Sequence, residues 1–276
     1  MTAVPAVEVN RASFSYDSIP ALADVTVTVP AGASVALLGT NGSGKSTLLK
    51  AFIGLLEPVS GEVRVLGVTP RQARPRIGYL RQQPWGERVA PMTVRDAVRV
   101  GRYARLGWFG RYTAGDTRAV EEAMDLLGIA GLAGRSLHEL SGGQRQRVQL
   151  AQVFAQQAEL LLLDEPFTGL DLPTQQQLLT ILDQQHHQQR TIVVATHELA
   201  VAHRCDLVIL LRGRVVAAAP PARACTRVNL ITAFGLAASA APETAEGLLL
   251  DDHHHDLSQT RALRPPFAAR RPRPRN

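Results

Sequence analysis

Gly39 to Thr47, GTNGSGKST, satisfy the spacing G-x-x-x-x-G-K-[ST], and Lys45 is one of the chain's two lysines, the other being Lys50. Such a run has a definite chemistry. Successive backbone N–H groups of Gly39, Thr40, Asn41, Gly42, Ser43 and Gly44 can wrap phosphate oxygens, and a helix beginning near Lys45 aims its positive end at them. Lys45 adds a compact charge for the β- and γ-phosphates, the Ser46 hydroxyl is placed to ligate Mg²⁺, and Thr47 closes the run. A dinucleotide fingerprint fits less well, because Gly42 and Gly44 are followed by Thr47 where a third small residue belongs. A second run, LLLLDEP from Leu160 to Pro166, is four leucines followed by two acids. A buried strand ending there would deliver Asp164 to a phosphate-bound Mg²⁺ and leave Glu165, one residue on, to polarise an attacking water. In a third run, LSGGQRQRVQLAQ, Ser141 precedes Gly142, Gly143 and Gln144. Two glycines let backbone approach a phosphate closely, and the helix that follows again points its N-terminus at an anion.

These residues need elements that hold them. Segments VEVNRASFSY and DVTVTVPAGASVALL read as short strands broken at Pro30 and Gly32, a strand-rich entry to the chain. From Ser34 the pattern becomes apolar strand, glycine loop, then a helix carrying Leu48, Leu49, Phe52, Ile53, Leu55 and Leu56; SGEVRVLG returns to strand. Between about Gln83 and Leu140 strand signals fade. TVRDAVRVGRYARL and DTRAVEEAMDLLGI read as helices, the first opened by Thr93 and the second by Asp116 as N-caps. After them, helix, buried strand, helix, strand and a final strand pair alternate, which predicts a mostly parallel sheet covered by helices.

The run around Ser141 resembles the signature of ATP-binding cassette (ABC) proteins, and the other parts of that family's pattern are found in order. Tyr16, in FSYDSIPAL, matches the aromatic that stacks on adenine. Gln82, in IGYLRQQ, matches the glutamine that touches Mg²⁺ and the membrane subunits, although Arg81 stands where the family usually has proline. Leu170 and Asp171, in TGLD, resemble the loop that crosses the dimer interface, and His197, in VVATHEL, the histidine that contacts the γ-phosphate. The resemblance implies an α/β fold, a P-loop NTPase ABC nucleotide-binding domain with an antiparallel β subdomain and a helical subdomain. It implies catalytic roles for Glu165, His197 and Gln82, and a Mg²⁺ site of Ser46, Gln82 and Asp164. ATP would lie between Gly39 to Thr47 of one copy and Ser141 to Gln144 with Asp171 of another, in a homodimer or beside a similar subunit. The expected boundaries are residues 1–236 for the nucleotide-binding domain, about 83–140 for its helical subdomain, and 237–276 for a disordered Ala/Pro/His/Arg-rich tail.

No run of eighteen apolar residues occurs, and MTAVPAVEVN lacks the regions of a signal peptide. The expectation is a cytoplasmic chain, peripheral on the inner face of the membrane, borrowing a channel from separate permease subunits and fed by a substrate-binding protein. Cys205 and Cys225 have no C-x-x-C spacing and read as buried reduced thiols. A net charge of +6 raises nucleic acid as a partner. Without interleaved aromatic and basic strands that partner is not expected. An exporter subunit, or an importer of siderophore, haem or cobalamin, shares the same motor motifs and stays open as the alternative; a soluble ABC ATPase outside transport is disfavoured by the single cassette, and a nucleotide-holding module without turnover by Glu165. The stretch VGRYARLGWFGRY holds Tyr103, Trp108, Phe109 and Tyr112, four of the chain's thirteen Phe, Tyr and Trp. It is most like the ATPase subunits of manganese and zinc importers, as is the F-T-G after DEP. Arg102, Arg105 and Arg111 would snorkel toward a membrane subunit or anionic headgroups. DDHHHD, Asp251 to Asp256, reads first as a solvated run and second as a weak Zn²⁺ or Mn²⁺ site, and His186 and His187 as solvent-facing on a helix.

Overall fold

Alternate burial shapes the opening segment. Along β1 (Val7–Tyr16), Val7, Val9, Ala12 and Phe14 turn inward, and β2 (Ile19–Val29) pairs with it antiparallel from Val7–Val29 to Tyr16–Ile19. The chain continues through β3 (Ser34–Leu38) and α1 (Lys45–Phe52) into β4 (Ser60–Val65), which joins the free side of β1 to give the order β2-β1-β4. A computed structural model describes residues 4–82, 91–106 and 110–235 of the chain.

A short α2 (Pro70–Ala73) leads to β5 (Ile77–Leu80), then come three longer helices, α3 (Val94–Leu106), α4 (Ala114–Leu126) and α5 (Gly142–Ala155). The remainder alternates: β6 (Leu160–Asp164), α6 (Leu172–His187), β7 (Thr191–Thr196), α7 (Leu199–Ala202), β8 (Leu207–Leu211), β9 (Val215–Ala219), α8 (Pro221–Ala224) and α9 (Arg227–Phe234). The second sheet runs β5-β6-β7-β3-β8-β9 and is parallel except for the β8–β9 pair. The run of four leucines follows from this topology, because a parallel strand covered on both faces must be apolar on both. Leu161 and Leu163 face the core shared with α5 and α6, while Leu160 and Leu162 face the core shared with α1 and β1. A third core, with Leu38, Val208, Leu210 and Leu230, packs α7 and α9 on the sheet.

The helical part is held by more than apolar packing. Residues 94, 97, 98, 101 and 102 of α3 are buried, a helical stripe whose last member is Arg102. Arg102 is 5% exposed and therefore does not snorkel outward. Its Nε donates to Asp116 Oδ1 at 2.8 Å and its Nη1 to Ala155 O at 2.6 Å, tying α3 to α4 and to the end of α5. Arg105 and Arg111 are exposed, and Arg105 Nη1 donates to Gln157 Oε1 at 3.3 Å. Asp116 is not the N-cap of α4: the helix starts two residues earlier, Thr113 is the cap, and Asp116 is the reciprocal partner, accepting from Thr113 N at 2.8 Å. Thr93 does take its expected place, accepting from Asp96 N at 3.2 Å.

Tyr112 lies under the Arg99 guanidinium, 4.6 Å from ring centroid to Cζ, and Tyr103 is 53% exposed. Trp108, Phe109, the tail from residue 237 and its DDHHHD run lie outside the described residues. His186 is not fully solvated, since its Nε2 is 3.0 Å from Asp206 Oδ2, an oxygen that also accepts from Ser34 N. Cys205 and Cys225 are free and half-buried; burial pushes the Cys205 thiol up to about 12, and its Sγ donates to Val201 O. Among the described residues no helix is long and apolar enough to cross a membrane, and no group of three or more His, Cys, Asp and Glu side chains is placed to hold a metal ion.

Candidate active site

Parallel strands bring their C-terminal ends to one edge, and in such sheets ligands bind beyond that edge where the strand order reverses. Here β3 sits between β7 and β8, so the loop after it opens at the reversal, beside the end of β7 and with the end of β6 one strand further on. Gly39 to Gly44 form that loop. Gly44 has φ +104° and a Cβ there would run into Leu22 Cδ2, so only glycine fits. The loop is braced by Ser43 N to Thr40 O at 3.1 Å and Gly213 N to Ser43 O at 2.9 Å. At the start of α1 no side chain caps the first turn, which leaves its N–H groups to an outside acceptor.

Lys45, 6% exposed, donates Nζ to Gly39 O at 2.7 Å and lies 3.7 Å from Glu165 Oε1. Burial lowers its pKa, opposed by the charges of Glu165 and Asp164. Asp164 ends β6 and is 2% exposed; burial raises its pKa, while a hydrogen bond from the Ser46 hydroxyl and the nearby Lys45 pull it back. Glu165 turns the chain sharply at φ +51°, a left-handed conformation that costs a non-glycine residue about 1–2 kcal/mol. Its N–H is held by Ala195 O at 2.9 Å, and its Oε2 lies 3.1 Å from His197 Nδ1 at the end of β7. Asp164 Oδ1 and Glu165 Oε1 are buried without a hydrogen-bond partner. The fold thus gathers Lys45, Ser46, Asp164, Glu165 and His197, drawn from three separate segments.

The other expected residues lie around this cluster and not within it. Tyr16 ends β1, 41% exposed, with its hydroxyl 3.4 Å from Lys50 Nζ. Lys50 received no role from sequence, and its signal was being the second of two lysines. Gln82 is exposed just past β5, whose Leu80 pairs with Leu163 of the adjacent β6. Ser141 caps α5: it accepts from Gln144 N at 3.3 Å, and Gln144 Oε1 accepts from Ser141 N at 3.0 Å, so the Gln144 side chain is spent on the cap, with Gly142 and Gly143 between. Asp171 caps α6 through Thr174, whose hydrogen bonds lower its pKa; Leu170 beside it is buried. Thr47, on α1, is buried.

Residues 22–168 match the ABC transporter family. The chain is 40% identical to the zinc transport system ATP-binding protein TroB of Treponema pallidum over 83% of its own length and 87% of that protein. It is 34% identical to the manganese transport system ATP-binding protein MntB of Bacillus subtilis over 83% and 92%. Its fold superposes with TM-score 0.71 and 26% identity on the dimeric post-hydrolysis state of the ATP-binding cassette MJ0796 bound to ADP and Pi, covering 78% of this chain and 98% of that one. With an uncapped glycine loop, a lysine and an acid pair gathered at the reversal of a parallel sheet, the chain belongs to the ABC transporter family as one of its ATPase subunits.

Proposed function

We propose that this chain powers the import of a divalent transition metal, zinc or manganese, through separate membrane permease subunits served by a substrate-binding protein, the chain itself lying peripherally on the inner face of the membrane. The cargo rests on the likeness to TroB and MntB, whose names specify zinc and manganese transport. The hydrolytic part rests on one observation, the Glu165 carboxylate held between Lys45 at 3.7 Å and His197 at 3.1 Å.

In this reading Gly39, Thr40, Asn41, Gly42, Ser43 and Gly44 wrap the phosphates with main-chain N–H groups, Thr47 supports the turn into α1, and Tyr16 packs on the adenine. Lys45 exchanges its loop carbonyls for phosphate oxygens. Glu165 takes a proton from the water whose oxygen attacks the γ-phosphorus, the bond to the β–γ bridging oxygen breaks, and ADP and phosphate leave. His197 steadies Glu165 and meets the γ-phosphate. Ser141, Gly142, Gly143, Gln144 and Asp171 face the ATP of a second copy.

The residues fit Mg²⁺. Asp164 Oδ1 is a buried, unpartnered carboxylate oxygen beside the Ser46 hydroxyl, a hard oxygen donor set that Gln82 would complete. When bound, Mg²⁺ supplies charge neutralisation at the phosphates. Purifying the full chain with its native membrane partner and measuring ATP hydrolysis tests the cargo. Stimulation by a Zn²⁺- or Mn²⁺-loaded binding protein is expected. Stimulation by a siderophore-loaded one alone would sink it.

A further inference from the structure

Between Glu165 and Asp171 the main chain is gripped from two sides by glutamine amides that the proposed cycle leaves unused. Gln146, one turn into α5 and 7% exposed, donates Nε2 to Pro166 O at 3.3 Å. Gln175, in the first turn of α6, donates Nε2 to Leu170 O at 3.2 Å and to Phe167 O at 3.4 Å. The segment itself closes two turns, Thr168 N to Glu165 O at 3.3 Å and Leu170 N to Phe167 O at 3.2 Å. Its Phe167 and Leu170 side chains sit in the same core as Leu140 and Val148, which flank and belong to α5. Backbone meets backbone as well: a Cβ on Gly143 would stand 3.2 Å from Gly169 O.

We infer that Gln146 and Gln175 are positioning residues whose amides fix the Pro166–Leu170 main chain, and through it Glu165 at one end and Asp171 at the other, Gln146 to the helix that begins at Ser141 and Gln175 to α6. The inference rests on the reading that Glu165 serves this chain's ATP while Ser141 to Gln144 meet a second copy's. On that reading α5 touches the partner's nucleotide and, through Gln146, the segment carrying its own catalytic carboxylate. Movement of α5 when two copies close then shifts Pro166 and Glu165 together. The amides suit the task because a main-chain carbonyl at a buried position needs a donor, and losing it leaves the oxygen desolvated and unpaired.

The test compares Gln146→Met, Gln175→Met and Gln175→Lys in the full chain purified with its membrane partner. Methionine keeps the volume and removes the donor; lysine at the half-buried 175 restores one. In both methionine variants kcat falls about ten- to a hundredfold, the usual effect of misplacing a catalytic group from outside the site, with KM for ATP unchanged. Gln175→Lys recovers the rate. A merely structural role would lower the thermal midpoint and leave kcat alone. Unaltered kcat in both folded methionine variants, or a lysine variant as slow as Gln175→Met, overturns the inference. Failure of the unsubstituted complex to turn over ATP overturns the reading beneath it as well.

Discussion

Lys45 donates to Gly39 O and faces Glu165, so its charge is held at the loop proposed to wrap the phosphates. Replacing it should therefore act on binding first. Lys45→Ala is expected to weaken ATP binding about 10- to 100-fold, the worth of a charge-assisted contact, read by titration calorimetry; equal affinity would count against the phosphate loop. Spacing alone exposed this residue and its neighbours Ser46 and Thr47, because a phosphate cradle is local in sequence. Asp164 and Glu165 were legible for a related reason, as a strand buried on both faces announces where it ends. What no local pattern carried was the use of a side chain against a distant acceptor, a main-chain carbonyl for Gln146 and a phenolic hydroxyl for Lys50. Gln146 and Lys50 are such cases: their partners, Pro166 and Tyr16, come from other segments.

Among the elements, α3 shows how a charge can be misread. Its apolar stripe at 94, 97, 98 and 101 continues to 102, so helical periodicity turns Arg102 inward, and Asp116 meets it there. The aromatic and basic composition of the stretch points to an outward arginine, whereas its helical period points inward. Removing one partner of a buried pair leaves the other unpaired, so Arg102→Met should cost about 3 kcal/mol of stability. Denaturant unfolding measures it, and a loss near zero would show the pair to be dispensable. The Asp116 carboxyl is held at about 2, below its ordinary 3.8, first by the Thr113 hydroxyl and backbone and then by Arg102. A depressed folded pKa stabilises above the unfolded value. The contribution should be full above pH 3.8 and disappear as pH falls through about 2, so the stability gap between the unsubstituted chain and Asp116→Asn closes over that window.

For the whole molecule, strand order gives the site its place: five parallel strands end on one edge, and the loop after β3 opens at the reversal. The alternation of helices and strands made the parallel sheet legible, but the order β5-β6-β7-β3-β8-β9 is set by long-range pairing that periodicity does not encode. Among the described residues the three cores run as far as Phe234, and deleting residues 237–276 should leave both the circular dichroism spectrum and ATP hydrolysis intact. A collapsed spectrum would assign the tail a structural role. The proposed role of Glu165, base of an ATPase that works when two copies close, is tested most directly by steady-state hydrolysis with Glu165→Gln. Turnover should fall by about 10²-fold or more, the usual share of a general base, while ATP binding persists and a nucleotide-bound dimer accumulates; undiminished hydrolysis would contradict it.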